Sequence, residues 1–232
     1  ARMLPTLQQA DIAFGNLECA LTAHQVAVPK RYNFRASTAW ATKLAKAGFD
    51  VVSVANNHSQ DYGARGLADT VTSLAHAGVV PVGGGMTMAE ARSPRVVVRK
   101  GVRVAFLAYL GMFPPVLPIL ASGPSVAMAE APQMRADIAS ARKKADVVVV
   151  SLHAGVEMVT TPSWRQKSLA TEALRAGADI VLGLGTDSLA SNPLLSIWEE
   201  MRLVREDHPQ LAPATVLAMA TRSGAQCLAA PD

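Results

Sequence analysis

Short apolar runs alternate along the chain with segments of helical spacing. The run Asp11–Phe14 ends at Gly15-Asn16, and Ser37–Ala47 then places Trp40, Leu44 and Ala47 on one helical face before Gly48. Asp50–Ala55 is rich in β-branched residues and predicts a strand. Arg65–Ala77 spaces Leu67, Val71 and Leu74 for burial and stops at Gly78, as a helix with a C-terminal glycine does. Val79–Val82 predicts a further strand, followed by Gly83-Gly84-Gly85. Arg95–Arg99 and Val102–Tyr109, parted only by Lys100-Gly101, predict a hairpin with a two-residue turn. From Gly111 to Pro132, prolines and small residues predict a long irregular connection. Beyond it the pattern predicts a helix over Gln133–Lys144, a strand over Asp146–Leu152, a helix over Ser163–Ala176 and a strand over Asp179–Leu182. The stretches Leu195–Arg205 and Pro213–Ala229 read as helices.

This order is that of an α/β protein. The hairpin interrupts strict βαβ alternation, so the sheet is expected to be mixed. Charged residues make up 17% of the 232, below the average of about 25%, and mean hydropathy is +0.21, so much of the chain is meant for burial. The longest apolar runs are strand-sized and well short of the roughly 20 residues that cross a bilayer. The net charge of +4 is scattered rather than gathered into a stripe, which argues against a nucleic-acid-binding surface. Cys19 and Cys227 form neither a metal pair nor a disulfide framework. The chain opens Ala1-Arg2-Met3 without a signal-like start and is read as a fragment, with its cellular location open.

Chemistry concentrates where strands end. Val51–Ala55 runs straight into Asn56-Asn57-His58-Ser59-Gln60-Asp61-Tyr62-Gly63. Glu18 follows Phe14 and His153 follows Leu152 at comparable places. Open α/β sheets build sites at such strand ends, because the loops there share a crevice. One histidine past a strand more often serves structure, but the repetition at three strand ends favours a site. A carboxylate, an amide oxygen and an imidazole suit a divalent metal such as Mn, Zn or Fe. His58, beside that set, is placed to protonate a leaving oxygen. Lys30, Arg31 and Arg35, interleaved with Tyr32 and Phe34, are candidate contacts for an anionic substrate, as is Asn56.

These segments carry a family resemblance. Asp11–Glu18, Tyr32–Ala36, Ala55–Gly63, Val82–Gly85 with Glu90-Ala91, and Ser151–Glu157 resemble the poly-γ-glutamate capsule biosynthesis protein CapA family over about residues 1–183. That family resembles the calcineurin-like metallophosphoesterases. The resemblance implies a mixed-sheet α/β/β/α sandwich, one or two divalent ions held by Glu18, Asn57 and His153, and His58 as an acid near the leaving group. Family members also carry a Gly-Asp strand end before the segment like Asp11–Glu18, and a Gly-His-His-Pro-His segment after the strand like Asp179–Leu182. The first has no counterpart here, and the second reads Gly183-Leu184-Gly185-Thr186-Asp187-Ser188. The expectation is therefore a truncated fold with an incomplete metal shell.

The remainder, 184–232, with Leu184–Asn192 and Val216–Ala225, resembles the C-terminal portion of metal-dependent amidohydrolases of the chlorohydrolase and cytosine-deaminase-like group. By that likeness Asp187 is an alternative metal ligand and water activator. The His-x-His element of that fold is absent. The two likenesses imply a CapA-like domain over 1–183 with an amidohydrolase-like helical tail, joined near Val181–Gly185. Three functions follow: a metal-dependent phosphoesterase-like hydrolase, a non-catalytic component that binds or exports an acidic polymer, and an inactive chimaeric fragment. The partner is an anionic small molecule or acidic polymer in the first two, with no nucleic acid; an envelope location would follow from the family likeness.

Overall fold

A computed structural model describes residues 4–111, 122–155 and 162–183. Its elements begin with α1 (Leu4–Gln9), β1 (Phe14–Asn16), β2 (Ala20–Leu21), β3 (Arg35–Ala36), α2 (Trp40–Ala47) and β4 (Val51–Ser53). Next come α3 (Gly63–His76), β5 (Val80–Val82), β6 (Gly84–Gly85), α4 (Met88–Arg92), β7 (Arg95–Arg99) and β8 (Val102–Leu110). The series closes with β9 (Ser125–Val126), α5 (Ala131–Arg142), β10 (Val147–His153), α6 (Trp164–Arg175) and β11 (Ile180–Leu182). The architecture is mixed α/β, as the alternation predicted. Among the described residues, no helix is long and apolar enough to cross a membrane.

Two sheets carry the fold. In the first, β1, β4 and β5 lie side by side and parallel. In the second, the order is β11-β10-β8-β7, parallel except for the antiparallel β7–β8 hairpin. The alternation along β8 shows how the layers stack. Phe106, Ala108 and Leu110 pack with Val51, Val52 and Val82 of the first sheet and with Leu67, Val71 and Leu74 of α3. Their neighbours Ala105, Leu107 and Tyr109 pack the opposite way, onto Met134 and Ile138 of α5 and Leu169 and Ala173 of α6. A period-two strand buried on both faces thus separates the two cores. The stacked rings of Phe14 and Phe106, 5.7 Å apart, join β1 to β8 across the gap between the sheets. The layers run helix, sheet, sheet, helix.

The hairpin turn falls on Lys100 and Gly101, with φ of 50° and 81°, the left-handed pair that suits the twist of a two-residue connection. A few elements escaped the periodicity. The connection expected to be irregular to Pro132 contains β9, and α5 begins at Ala131, so Pro132 sits in the first helical turn, where its missing N–H costs nothing. The short helix α4 is capped by Thr87, whose hydroxyl accepts from Glu90 N. The two-residue strands β2 and β3 pair in parallel, and β2 is tied to α3 where Thr70 Oγ1 accepts from Leu21 N at 2.8 Å. The predicted helices over Leu195–Arg205 and Pro213–Ala229, the tail 184–232 and Asp187 lie outside the described residues, as do 156–161.

The sheets are stitched together beneath their C-terminal ends by main-chain hydrogen bonds. Val54 N donates to Val82 O, Ala127 N to Gly83 O, Leu110 N to Ala127 O, and Gly111 N to His153 O, each at 2.8 or 2.9 Å. Gly83 makes this crossing possible. Its φ is +79°, and a Cβ there would lie 2.5 Å from Ala55 Cβ and 2.6 Å from Ala108 O. A continuous backbone path therefore runs from β4 to β10.

Candidate metal centre

Three of the predicted residues meet where the two sheets end. Glu18 lies two residues past β1, Asn57 four residues past β4, and His153 is the last residue of β10. His153 Nε2 is 2.9 Å from Asn57 Oδ1 and 3.5 Å from Glu18 Oε1. Two donors each 2.0–2.2 Å from one ion stand about 3.0 Å apart at right angles and about 3.4 Å apart at the tetrahedral angle. The two observed separations from His153 lie close to those edges. Among the described residues, no group of three His, Cys, Asp or Glu gathers at one point. The Asn57 amide oxygen is therefore needed to make a third donor.

The cluster is braced from below by an asparagine. Asn56 is fully buried. Its Nδ2 donates to Asn16 Oδ1 at 3.0 Å and to Leu17 O at 2.9 Å, while its Oδ1 accepts from His58 N at 3.1 Å and from Ser59 Oγ at 3.0 Å. Asn16 Nδ2 in turn donates to Glu18 Oε2 at 3.1 Å. Expected from the sequence to touch substrate, Asn56 is instead an internal strut that locks the β4 loop to the β1 loop. Its amide is fully engaged, which a fully buried amide requires.

His58 is buried beside the cluster, with its Nδ1 2.9 Å from Asp61 Oδ2. Asp61 has no exposed surface, and it also accepts from Phe34 N and forms an ion pair with Lys30 through Oδ1. Lys30 Nζ further donates to Asn57 O at 2.8 Å. The Phe34 ring packs on the His58 imidazole with centroids 4.2 Å apart. Lys30, expected to hold an anionic substrate, is thus engaged as the counter-charge of a buried aspartate. Arg31 on the same loop and Arg35 at the start of β3 are exposed, over the rings of Tyr32 and Tyr62 at 5.2 and 5.3 Å. Arg35 Nη1 also donates to His24 O at 3.1 Å.

Asp61 and Asn16 were not singled out from the sequence. Asp61 stands three residues after His58, within a turn where a carboxylate reaches back to the ring, and that spacing was the available signal. Cys19 lies nearby, but burial first, then the negative charges of Asp61 and Glu18, push its thiol up.

The chain is similar to known proteins. A family model described as bacterial capsule synthesis protein PGA_cap matches residues 1–189, and one described as amidohydrolase family matches residues 165–232. The two matches overlap across α6 and β11. The chain is 32% identical over 192 residues to the capsule biosynthesis protein CapA of Bacillus anthracis, covering 77% of this chain and 46% of that protein. It is 30% identical over 183 residues to the PGA biosynthesis protein CapA of Bacillus subtilis (strain 168), covering 77% of this chain and 48% of that one. The chain thus spans about half the length of these curated relatives. A solved structure of a hypothetical protein from Thermus thermophilus superposes with a TM-score of 0.46 at 20% identity, covering 78% of this chain and 58% of that one. With the family model matched over most of its length, this chain belongs to the bacterial capsule synthesis protein PGA_cap family.

Proposed function

We propose that this chain carries the divalent-metal centre of a protein acting in poly-γ-glutamate capsule biosynthesis. The observation behind this reading is the meeting of Glu18, Asn57 and His153, from strand ends of two different sheets, at separations that fit one ion. The names of the Bacillus relatives supply the biological setting. Mn, Zn or Fe suits the mixed oxygen and nitrogen donors. When bound, a divalent ion supplies Lewis-acid polarisation of a phosphoryl or carbonyl oxygen.

The chain's own side chains set up the rest. Glu18, Asn57 and His153 hold the ligand positions, Asn56 fixes their spacing, and His58 stands alongside for proton transfer. The exposed guanidinium groups of Arg31, on the loop whose Phe34 packs on His58, and of Arg35, at the start of β3, attract an anionic small molecule or an acidic polymer.

Titration calorimetry with Mn and Zn tests the centre, and an assay on phosphate esters tests turnover. Saturable binding that His153→Ala abolishes supports the proposal; an absence of binding to either ion refutes it. Poly-γ-glutamate bound in a salt-sensitive way, without ester turnover, would place the chain in a polymer-handling rather than a hydrolytic role.

A further inference from the structure

The second sheet ends in a strand whose outer edge has no partner among the described residues. The two larger sheets have four such edges there: β1 and β5 in the first, β11 and β7 in the second. Three of them are three residues long, and β5 carries Pro81, which has no N–H to offer. The β7 edge, Arg95–Arg99, has five residues, no proline and an unbroken register against β8. Proteins usually blunt such an edge with a bulge, a proline or an outward charge. Here Val96 and Val98 stand exposed instead, at 39% and 56%, while Val97 between them packs into the core shared with the first sheet.

The bonding of β8 fixes which main-chain groups of β7 are left over. Arg103, which faces Val98, turns its main chain the other way: its N donates to Asp146 Oδ2 at 2.9 Å and its O accepts from Asp146 N at 2.8 Å. Bonded and non-bonded pairs alternate along an antiparallel ladder, so the N–H and C=O of both Val98 and Val96 point out of the sheet. The Val98 carbonyl accepts from Arg99 Nη1 at 3.1 Å, an exposed contact that an incoming strand can displace. These outward groups are symmetric about Val97, and so is the sequence Arg95-Val96-Val97-Val98-Arg99. A half-turn about Val97 therefore lays a second β7 beside the first, with Val96 of each copy opposite Val98 of the other and both main-chain bonds exchanged in each pair. The exposed valines then cover one another. The like-charge pair in that register is Arg95 against Arg99 of the second copy, and Asp50, which already holds Arg99 at 2.6 Å, answers it. We propose that two copies of this chain associate through β7, joining their second sheets into one. A strip this narrow makes a weak dimer, dissociating in the micromolar range or above. The surface is separate from the metal centre, none of whose residues lies on β7.

Sedimentation velocity of the full chain from about 1 to about 200 µM, with amide hydrogen exchange at both ends of that range, tests the proposal. A reversible monomer–dimer equilibrium is expected, with the Val96 and Val98 amides slow to exchange only where the dimer is populated. Val96→Pro removes an N–H that the hairpin does not use, so it should fold and stay monomeric throughout. Val98→Lys, at an exposed position, replaces an apolar cross-strand contact on each side of the symmetry axis and should raise the dissociation constant roughly 10-fold. Should Val96→Pro fail to fold, Val98→Lys and the wild-type exchange pattern decide. A monomer at every concentration overturns the proposal, as does a dimer that Val98→Lys leaves unchanged or in which those two amides exchange freely. Protection of both amides that does not vary with concentration also overturns it, since a segment of the same chain would then cover the edge.

Discussion

Two aspartates sit at the hearts of two polar networks among the described residues, Asp61 wholly buried and Asp137 partly so, and only Asp61 adjoins the candidate metal centre. Asp137, on α5, accepts from Arg92 at 2.9 and 3.0 Å and from the Tyr109 hydroxyl at 3.1 Å, tying α4 and β8 to the helix layer. Burial, followed by the Asp137 charge, pushes the Tyr109 phenol well above its ordinary value, so it stays a donor. Asp61 has an equally complete set of partners in Lys30, Phe34 and His58. The difference lies in what the partners have left over. Arg92 and Tyr109 spend their hydrogen bonds on α5, at Asp137 and, for Arg92, also at the Gln133 carbonyl, whereas His58 keeps a second ring nitrogen and its neighbour Asn57 turns a side chain to His153. A buried, paired charge is therefore not itself the mark of a site. The mark is a partner with unused chemistry at a place where several strands end.

Substitutions separate the two networks, and the largest effect is expected at the cluster. His153→Ala should weaken divalent-metal binding by more than about 100-fold, beyond the roughly 10–100-fold typical of residues one shell removed. Its melting temperature should change little, since the side chain is about a quarter exposed, at 23%. Asp137→Ala is expected to show the reverse pattern. Breaking this partly buried ion pair and its tyrosine hydrogen bond should cost about 1–3 kcal/mol, seen as a melting temperature lower by roughly 2–10 °C, with metal affinity in the folded protein unchanged. Metal binding lost in both variants would erase the distinction. Tyr109→Phe removes one hydrogen bond and leaves Arg92 in place, so about 1 kcal/mol is expected in a denaturation midpoint.

The smallest effect concerns a surface pair that belongs to neither network. Arg103, bonding Asp146 through side chain and backbone, lowers the Asp146 carboxyl from 3.8 to about 2. A carboxyl depressed in the folded state adds stability above its unfolded value, and the gain is lost as pH falls through the folded one. Arg103→Ala should therefore melt slightly lower than wild type at about pH 6, and the gap should close between about pH 4 and pH 2. Because the pair is exposed, the gap should also narrow in high salt.

Much of this was legible in the sequence because it rests on local chemistry. The hairpin at Lys100-Gly101, the strand running into Asn56-Asn57-His58 and the helix ended by Gly48 each follow from a few adjacent residues. The convergence of Glu18, Asn57 and His153 was legible as well, since parallel strands end on one side of a sheet. What the sequence hid depends on the chain returning to itself. Nothing local says that Lys30 serves Asp61 rather than a ligand, because that pairing needs the 28–34 loop to fold back over the turn after β4. Asn56 and Asn57 are adjacent and identical, yet one is a buried strut and the other a candidate ligand. Only the folded loop, which turns one side chain toward the β1 loop and the next toward β10, tells them apart. Gly83 was visible as part of a flexible triplet, but its use as the crossing point between two sheets depends on Ala55 and Ala108 from different strands.

Metal content per chain, measured after equilibration with Zn and exhaustive dialysis, tests the central claim most directly. Wild type and Tyr109→Phe should retain the ion, and His153→Ala should lose it. Equal metal in all three proteins, or none in the wild type, would contradict the assignment of Glu18, Asn57 and His153 as the metal centre.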